Sequence, residues 1–159
     1  MKAVHIVLVS MLGLSSAALV APAMLRSPHA ASARAAQPSM SVSVKTIKAG
    51  DGKTYPKPGQ KVKCHYTGRL QSDGSVFDTS KRILGGFGGI GAFEFELGAG
   101  EVIKGWDVGI AKMCVGETAE LTVGPSFGYG NRGAGDAIPP NSVLIFEVDL
   151  LGVSGKPYF

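Results

Sequence analysis

The sequence is poor in the side chains that most often carry metal-dependent or nucleophilic chemistry. Of its three histidines only His65 lies after residue 40, and its two cysteines, Cys64 and Cys114, are far apart in the chain. Zinc sites in proteins need closely spaced Cys and His ligands, so we expect no metal. We expect both cysteines to be free thiols, with a disulfide between them as the alternative.

Two glycine-containing motifs match known signatures but lack the context that the chemistry requires. Residues 86–91 match G-x-G-x-x-G, which binds a dinucleotide only between a strand and a helix, whereas a strand is predicted to follow here. Residues 124–128 match the G-x-S-x-G of hydrolases, which need an acid and then a histidine later in the chain. Every histidine precedes Ser126. We therefore predict that the first motif is part of a flexible glycine-rich loop and that Ser126 lies in a turn. We expect no cofactor.

Acidic residues are missing from the first 50 positions. Residues 1–23 begin with a lysine, continue with an apolar run and end in small residues, which is typical of a secretory signal peptide. Residues 24–40 contain Arg26 and Arg34 among Ser, Ala and Pro, as transit peptides do. We predict a two-part leader that takes the protein into a plastid through the secretory route. The alternative is a signal peptide with a disordered spacer, which gives a secreted or ER-lumenal protein.

The remaining domain, residues 41–159, is nearly balanced in charge. Without Lys2, Arg26 and Arg34, 13 of the 16 basic residues remain against 12 acidic ones. A nucleic-acid-binding surface usually shows a clear basic excess, so this balance counts against nucleic acid as a partner. After removal of the leader we expect a monomer that does not associate with membranes.

Hydrophobic periodicity predicts an α+β fold with an antiparallel sheet wrapped around one helix. Residues 101–113 have helical spacing, with the chain's only tryptophan, Trp106, on the apolar face. Gly105 and Gly109 each disfavour this helix by about 1 kcal/mol relative to Ala, so it must be stabilised by packing. Alternating segments predict strands at 42–48, 61–70, 76–78, 93–97, 118–123 and 143–151.

Seven short motifs, in order along the chain, resemble the FK506-binding proteins, a family of immunophilins. They are HYTG at 65–68, VFDTS at 76–80, FEF at 93–95, GEVIKGW at 100–106, YG at 129–130, IPPN at 138–141 and LIFEV at 144–148. The resemblance covers about residues 42–153. It implies a half-barrel of five or six antiparallel strands curled over the short helix. It also implies peptidyl-prolyl cis-trans isomerase activity on proline-containing polypeptides, and binding of macrolide ligands of the FK506 type.

The same resemblance implies a pocket with Trp106 as its floor. Asp78 and Tyr129 are expected to supply polar contacts, and the backbone N–H of Ile103 is expected to be a ligand donor. The residues implied to be catalytic are Tyr66, Phe77, Asp78, Trp106, Tyr129 and Phe146; those implied to bind substrate are Phe93, Val102, Ile103 and Ile138.

Three points in this pocket stay open at the level of the sequence. Lys81, Arg82 or neither of them could pair with Asp78, because the loop at 81–92 is longer than in minimal family members. Ala134 and Ala137 stand where the family often has larger residues, which predicts a weaker wall. The alternative to an active isomerase is a binding module that uses the same pocket; a redox-regulated fold that uses the two cysteines is a third hypothesis.

Overall fold

In the part of the chain that the structure describes, alternating apolar and polar residues form a six-stranded antiparallel sheet with one short α-helix packed against it. The computed structural model describes residues 41–81 and 91–157. The leader at 1–40 and most of the predicted glycine-rich loop lie outside the described residues. The described elements are β1 (Val42–Lys48), β2 (Lys61–Leu70), β3 (Val76–Thr79), β4 (Phe93–Glu96), α1 (Lys104–Ile110), β5 (Thr118–Val123), a 3₁₀ turn (Pro125–Phe127) and β6 (Leu144–Ser154).

The sheet places β6 and β2 at its centre. The strand order is β1-β5-β6-β2-β3, and β4 pairs with β2 outside this path. All the strand pairs are antiparallel. The α+β fold with an antiparallel sheet and one short helix, predicted from the sequence, is confirmed, with six strands.

The face of the sheet that covers α1 is apolar, as the period-two alternation predicts. The inward residues of β2, β5 and β6 are buried, whereas Lys61 and Lys63 on the other face of β2 are exposed. Strand β6 extends three residues beyond its predicted end. An extra residue at Leu151 forms a bulge opposite Lys63 and Cys64, so that pairing resumes and reaches Ser154.

Helix α1 is shorter than the predicted 101–113. Ile103 has ψ 147° and is therefore extended, so the helix begins only at Lys104. Beyond Ile110, the N–H groups of Lys112 and Met113 donate to carbonyls three residues earlier, at 3.1 Å and 3.0 Å. These tighter turns keep Met113 buried and explain why the apolar spacing continues past the helix. No helix in the described ranges is long and apolar enough to cross a membrane.

Gly105 and Gly109 allow α1 to lie directly on β5. A Cβ atom at Gly109 would lie 2.8 Å from Leu121 Cδ2, and one at Gly105 would overlap the side chain of Val123. Real Cβ atoms do not approach other atoms this closely, so any other residue at either position would require the helix or the facing side chains of β5 to shift. The close approach offsets the low helix propensity of glycine and fixes the depth at which Trp106 lies.

Both cysteines are free and buried, which confirms the prediction of two thiols. Cys64 belongs to the inner face of β2, and burial, with a smaller contribution from Asp149, raises its pKa to about 12. Cys114 follows α1, where its Sγ lies 3.4 Å from Glu117 Oε2 and accepts the Gly52 N–H at 3.3 Å. The raised pKa of Cys64 makes it a poor nucleophile and weakens the redox hypothesis.

Candidate active site

Four elements, β2, β4, α1 and β6, bring aromatic rings together around Trp106. The ring centroid of Trp106 lies 4.9 Å from that of Tyr66, 5.4 Å from Phe146 and 5.9 Å from Phe93, each in an edge-on arrangement. Phe95 completes this aromatic cluster at 5.7 Å. Edge-to-face pairs at these distances are favourable beyond the area they bury, so the rings hold one another in fixed orientations.

The predicted pocket residues divide by depth. Tyr66, Val102, Trp106, Ile138 and Phe146 are buried. A half-buried rim packs against them, formed by Phe77, Phe93, Ile103 and Tyr129. Trp106, with 0% exposure, is thus the deepest aromatic residue of the cluster, and Phe93 is the rim residue whose ring contacts it.

Phe77 closes one side of the cluster, and a glycine makes room for it. Its ring lies edge-on to Phe146, with centroids 5.6 Å apart. A Cβ atom at Gly68 would lie 2.6 Å from Phe77 Cζ and 2.9 Å from Phe146 Cε1. Gly68 belongs to a motif noted in the sequence, but its role was not predicted, because the need for empty space above a strand is visible only in three dimensions.

A polar edge borders the rings. The Tyr66 hydroxyl donates to Asp78 Oδ2 at 2.8 Å, and the Thr79 N–H donates to Asp78 Oδ1 at 2.8 Å. Burial, assisted by Asp78, raises the pKa of Tyr66 far above its usual range and that of Tyr129 to about 12. Both phenols are therefore protonated at neutral pH and can serve as hydrogen-bond donors but not as bases.

Lys81 is engaged on the outer face of the sheet. Its Nζ lies 3.0 Å from Glu147 Oε1 and 2.8 Å from Asp149 Oδ2. The other candidate partner of Asp78, Arg82, lies outside the described residues. The Asp78 carboxylate accepts from Tyr66 and Thr79, and the sequence had suggested neither of these two contacts.

The comparisons with known proteins agree with this architecture. Residues 52–151 match the family described as FKBP-type peptidyl-prolyl cis-trans isomerase. FK506-binding protein 1 of Dictyostelium discoideum is 51% identical over 112 residues, which cover 70% of this chain and 97% of that protein. Peptidyl-prolyl cis-trans isomerase Fkbp12 of Drosophila melanogaster is 50% identical over 114 residues, 72% of this chain and 99% of that protein. The chain belongs to the FKBP-type peptidyl-prolyl cis-trans isomerases.

The sequence prediction of an isomerase is therefore confirmed. In this FKBP-type enzyme Tyr66, Phe93 and Phe146 pack around the indole of Trp106. Phe77 packs on Phe146, and Asp78 borders the rings through Tyr66. The separate roles assigned to the ten residues, catalytic or substrate-binding, stay predictions. Besides Gly68, sequence reasoning assigned no role to Ser80, a buried residue that contacts the backbone of Tyr66.

The loop after Tyr129 carries the residues predicted to form one wall of the pocket. Ala134 and Ile138 exchange backbone hydrogen bonds at 2.9 Å and 3.1 Å, so the segment between them is a tight hairpin. Ile138 is buried, whereas Ala134 and Ala137 are half-buried against the core. Their small side chains leave this side of the site with less apolar surface than larger residues would provide.

Proposed function

We propose that this isomerase accelerates rotation about X-Pro bonds by removing water from the twisted amide in the pocket around Trp106. The observation that carries the proposal is the cluster of edge-on rings, bordered by two phenols that remain protonated at neutral pH. The substrates are proline-containing segments of polypeptide chains.

The physical argument starts from amide resonance. A planar peptide bond resists rotation with a barrier of roughly 18–20 kcal/mol, and uncatalysed X-Pro exchange takes on the order of tens to hundreds of seconds. At the top of the barrier the amide has lost its resonance, so its carbonyl is less polar and needs water less. An apolar pocket therefore binds the twisted amide better than the planar one, which is the condition for catalysis.

A protease-coupled assay on the purified 159-residue chain tests the activity. A short peptide with one X-Pro bond is cleaved only in its trans form, so the slow phase reports isomerisation. We expect the slow phase to accelerate in proportion to enzyme concentration. A correctly folded chain that leaves the slow phase unchanged, yet retains a polypeptide partner in a pull-down, would support the binding-module alternative.

We propose further that the same pocket binds macrolides of the FK506 type. Several relatives are named FK506-binding proteins, and the ring cluster of this chain offers an apolar surface. Since Ala134 and Ala137 provide a small wall, we expect a weaker complex than in a variant with larger residues there. FK506 should inhibit the isomerase competitively, and inhibition that does not diminish at higher peptide concentration would place the macrolide elsewhere.

For location, we propose that residues 1–40 are removed and that the enzyme acts in a plastid reached through the secretory route. The acid-free composition of this segment and its change of character near residue 23 support the proposal. Mass spectrometry of the native N-terminus should find the leader absent. A fluorescent fusion of residues 1–45 that stays in the ER or the medium would support the secreted or lumenal alternative.

A further inference from the structure

Ser80 is a buried polar residue directly after β3, with 3% of its surface exposed. Its Oγ accepts the backbone N–H of Tyr66 at 2.8 Å. Main-chain pairing between β2 and β3 continues past the Thr67–Thr79 pair, because the Ser80 N–H donates to the Tyr66 carbonyl at 3.0 Å. The ring of Tyr66 packs on Trp106. The N–H of the same residue is bound by a side-chain hydroxyl and not by a main-chain carbonyl.

The segment 78–80 holds Tyr66 at three points. The Tyr66 hydroxyl donates to Asp78, and the Tyr66 carbonyl accepts the Ser80 N–H at 3.0 Å and the Thr79 hydroxyl at 3.0 Å. On the side of β2 that faces β3, the Tyr66 N–H donates to the Ser80 hydroxyl. A buried N–H without an acceptor is unfavourable, so loss of this hydroxyl should shift the backbone of β2 and with it the Tyr66 ring.

The same hydroxyl also reaches the outer face of the sheet. His65 Nδ1 lies 3.2 Å from Ser80 Oγ. A serine hydroxyl has one donor and two acceptor sites. When Nδ1 of a neutral His65 accepts, Ser80 donates to it; when Nδ1 is protonated and donates, the Ser80 hydrogen can turn to the Tyr66 carbonyl at 3.5 Å. In both states Oγ continues to accept the Tyr66 N–H.

We propose that Ser80 is a positioning residue of the isomerase, which fixes the Tyr66 ring against Trp106 and links it to His65 on the outer face. The proposal rests on the pocket mechanism given above. The Tyr66 N–H keeps Ser80 Oγ as its acceptor whether His65 Nδ1 is protonated or not. A change at His65 therefore alters the direction of the Ser80 hydroxyl hydrogen but leaves the Tyr66 ring in place. The charged groups that face His65 or its neighbours are Lys63 on β2, Asp149 and Glu147 on β6, and Lys81 after β3.

Kinetics on the full chain provide the first test. Ser80→Ala should lower kcat/KM by about tenfold, which corresponds to about 1.4 kcal/mol of barrier. Ser80→Cys, with a sulfur that accepts hydrogen bonds weakly, should fall between wild type and Ser80→Ala. Thr118→Val is the matched control, because it removes a hydroxyl that donates to Asp149 at 2.8 Å on the outer face, outside the pocket. Its kcat/KM should equal that of wild type.

An NMR titration without substrate provides the second test and does not depend on the activity. In wild type, the Tyr66 amide proton should change its chemical shift as His65 titrates. The change should vanish in His65→Gln and in Ser80→Ala. If Ser80→Ala fails to fold, the comparison of wild type with His65→Gln decides whether the link exists.

Two results would overturn the proposal. One is a folded Ser80→Ala variant with wild-type kcat/KM. The other is a wild-type Tyr66 amide that does not respond to His65. An inactive wild-type chain whose Tyr66 amide still follows His65 would instead count against the pocket mechanism, so the two failures are distinguishable.

Discussion

Replacement of Phe77 by alanine is the sharpest test of a pocket that works by excluding water. Phe77 is half-buried, contacts Phe146 edge-on at 5.6 Å, and lies over the space that Gly68 leaves open. Complete burial of such a side chain is worth about 1.5–3 kcal/mol. If the twisted amide gains that burial and the planar amide does not, Phe77→Ala should lower kcat/KM by roughly 10- to 150-fold.

The same substitution also affects stability, and the two effects must be separated. Truncation of a fully buried Phe costs about 3–5 kcal/mol, so a half-buried one should cost roughly half of that. Val76→Ala is the matched control, because Val76 precedes Phe77 on β3 but is exposed. The protease-coupled assay gives kcat/KM, and urea unfolding shows which variants are folded. A folded Phe77→Ala enzyme with undiminished kcat/KM would refute the desolvation argument.

Four further predictions concern the polar edge, the pH profile, the packing of α1 on β5 and the two thiols. Asp78→Asn should keep much of kcat/KM, since the amide oxygen still accepts from Tyr66, and an Asp78→Asn variant as inactive as Phe77→Ala would contradict this. Tyr129→Phe removes one neutral hydrogen-bonding group and should raise the barrier by only about 0.5–1.5 kcal/mol. The profile of kcat/KM should be flat from about pH 6 to 8, because the pKa values of both phenols are raised and stay above that window; a bell shape there would indicate acid–base catalysis. Gly105→Ala should lower the free energy of unfolding by about 1–3 kcal/mol despite alanine's better helix propensity, because its Cβ would overlap Val123; urea titration that shows a gain would argue against close packing of α1 on β5. Thiol counting on unfolded, unreduced protein should find both Cys64 and Cys114, whereas a count of zero would revive the redox hypothesis.

The sequence predicted the elements well because their signals are local. Alternation on β2 and β5 places the same residues inward that the structure buries, and the strand bounds at Val42–Lys48, Lys61–Leu70 and Thr118–Val123 agree with the prediction. The ends of α1 were wrong, because the extended backbone at Ile103 and the tight turns after Ile110 preserve an apolar spacing that periodicity cannot tell from a helix. The extension of β6 was missed, because the bulge at Leu151 interrupts the alternation.

The contacts that shape the pocket could not be predicted from the sequence, because each joins residues that are far apart in the chain. Gly68 appears in a sequence motif, yet its function is to leave space for rings from β3 and β6. Gly105 looks unfavourable for a helix, yet it sets the distance between α1 and β5. Both glycines act by lacking a side chain. A pattern of polar and apolar residues does not show where such an empty space is needed. The position of Trp106 therefore depends on Gly105 and Gly109, which let α1 lie close to β5, as well as on the aromatic residues around the indole.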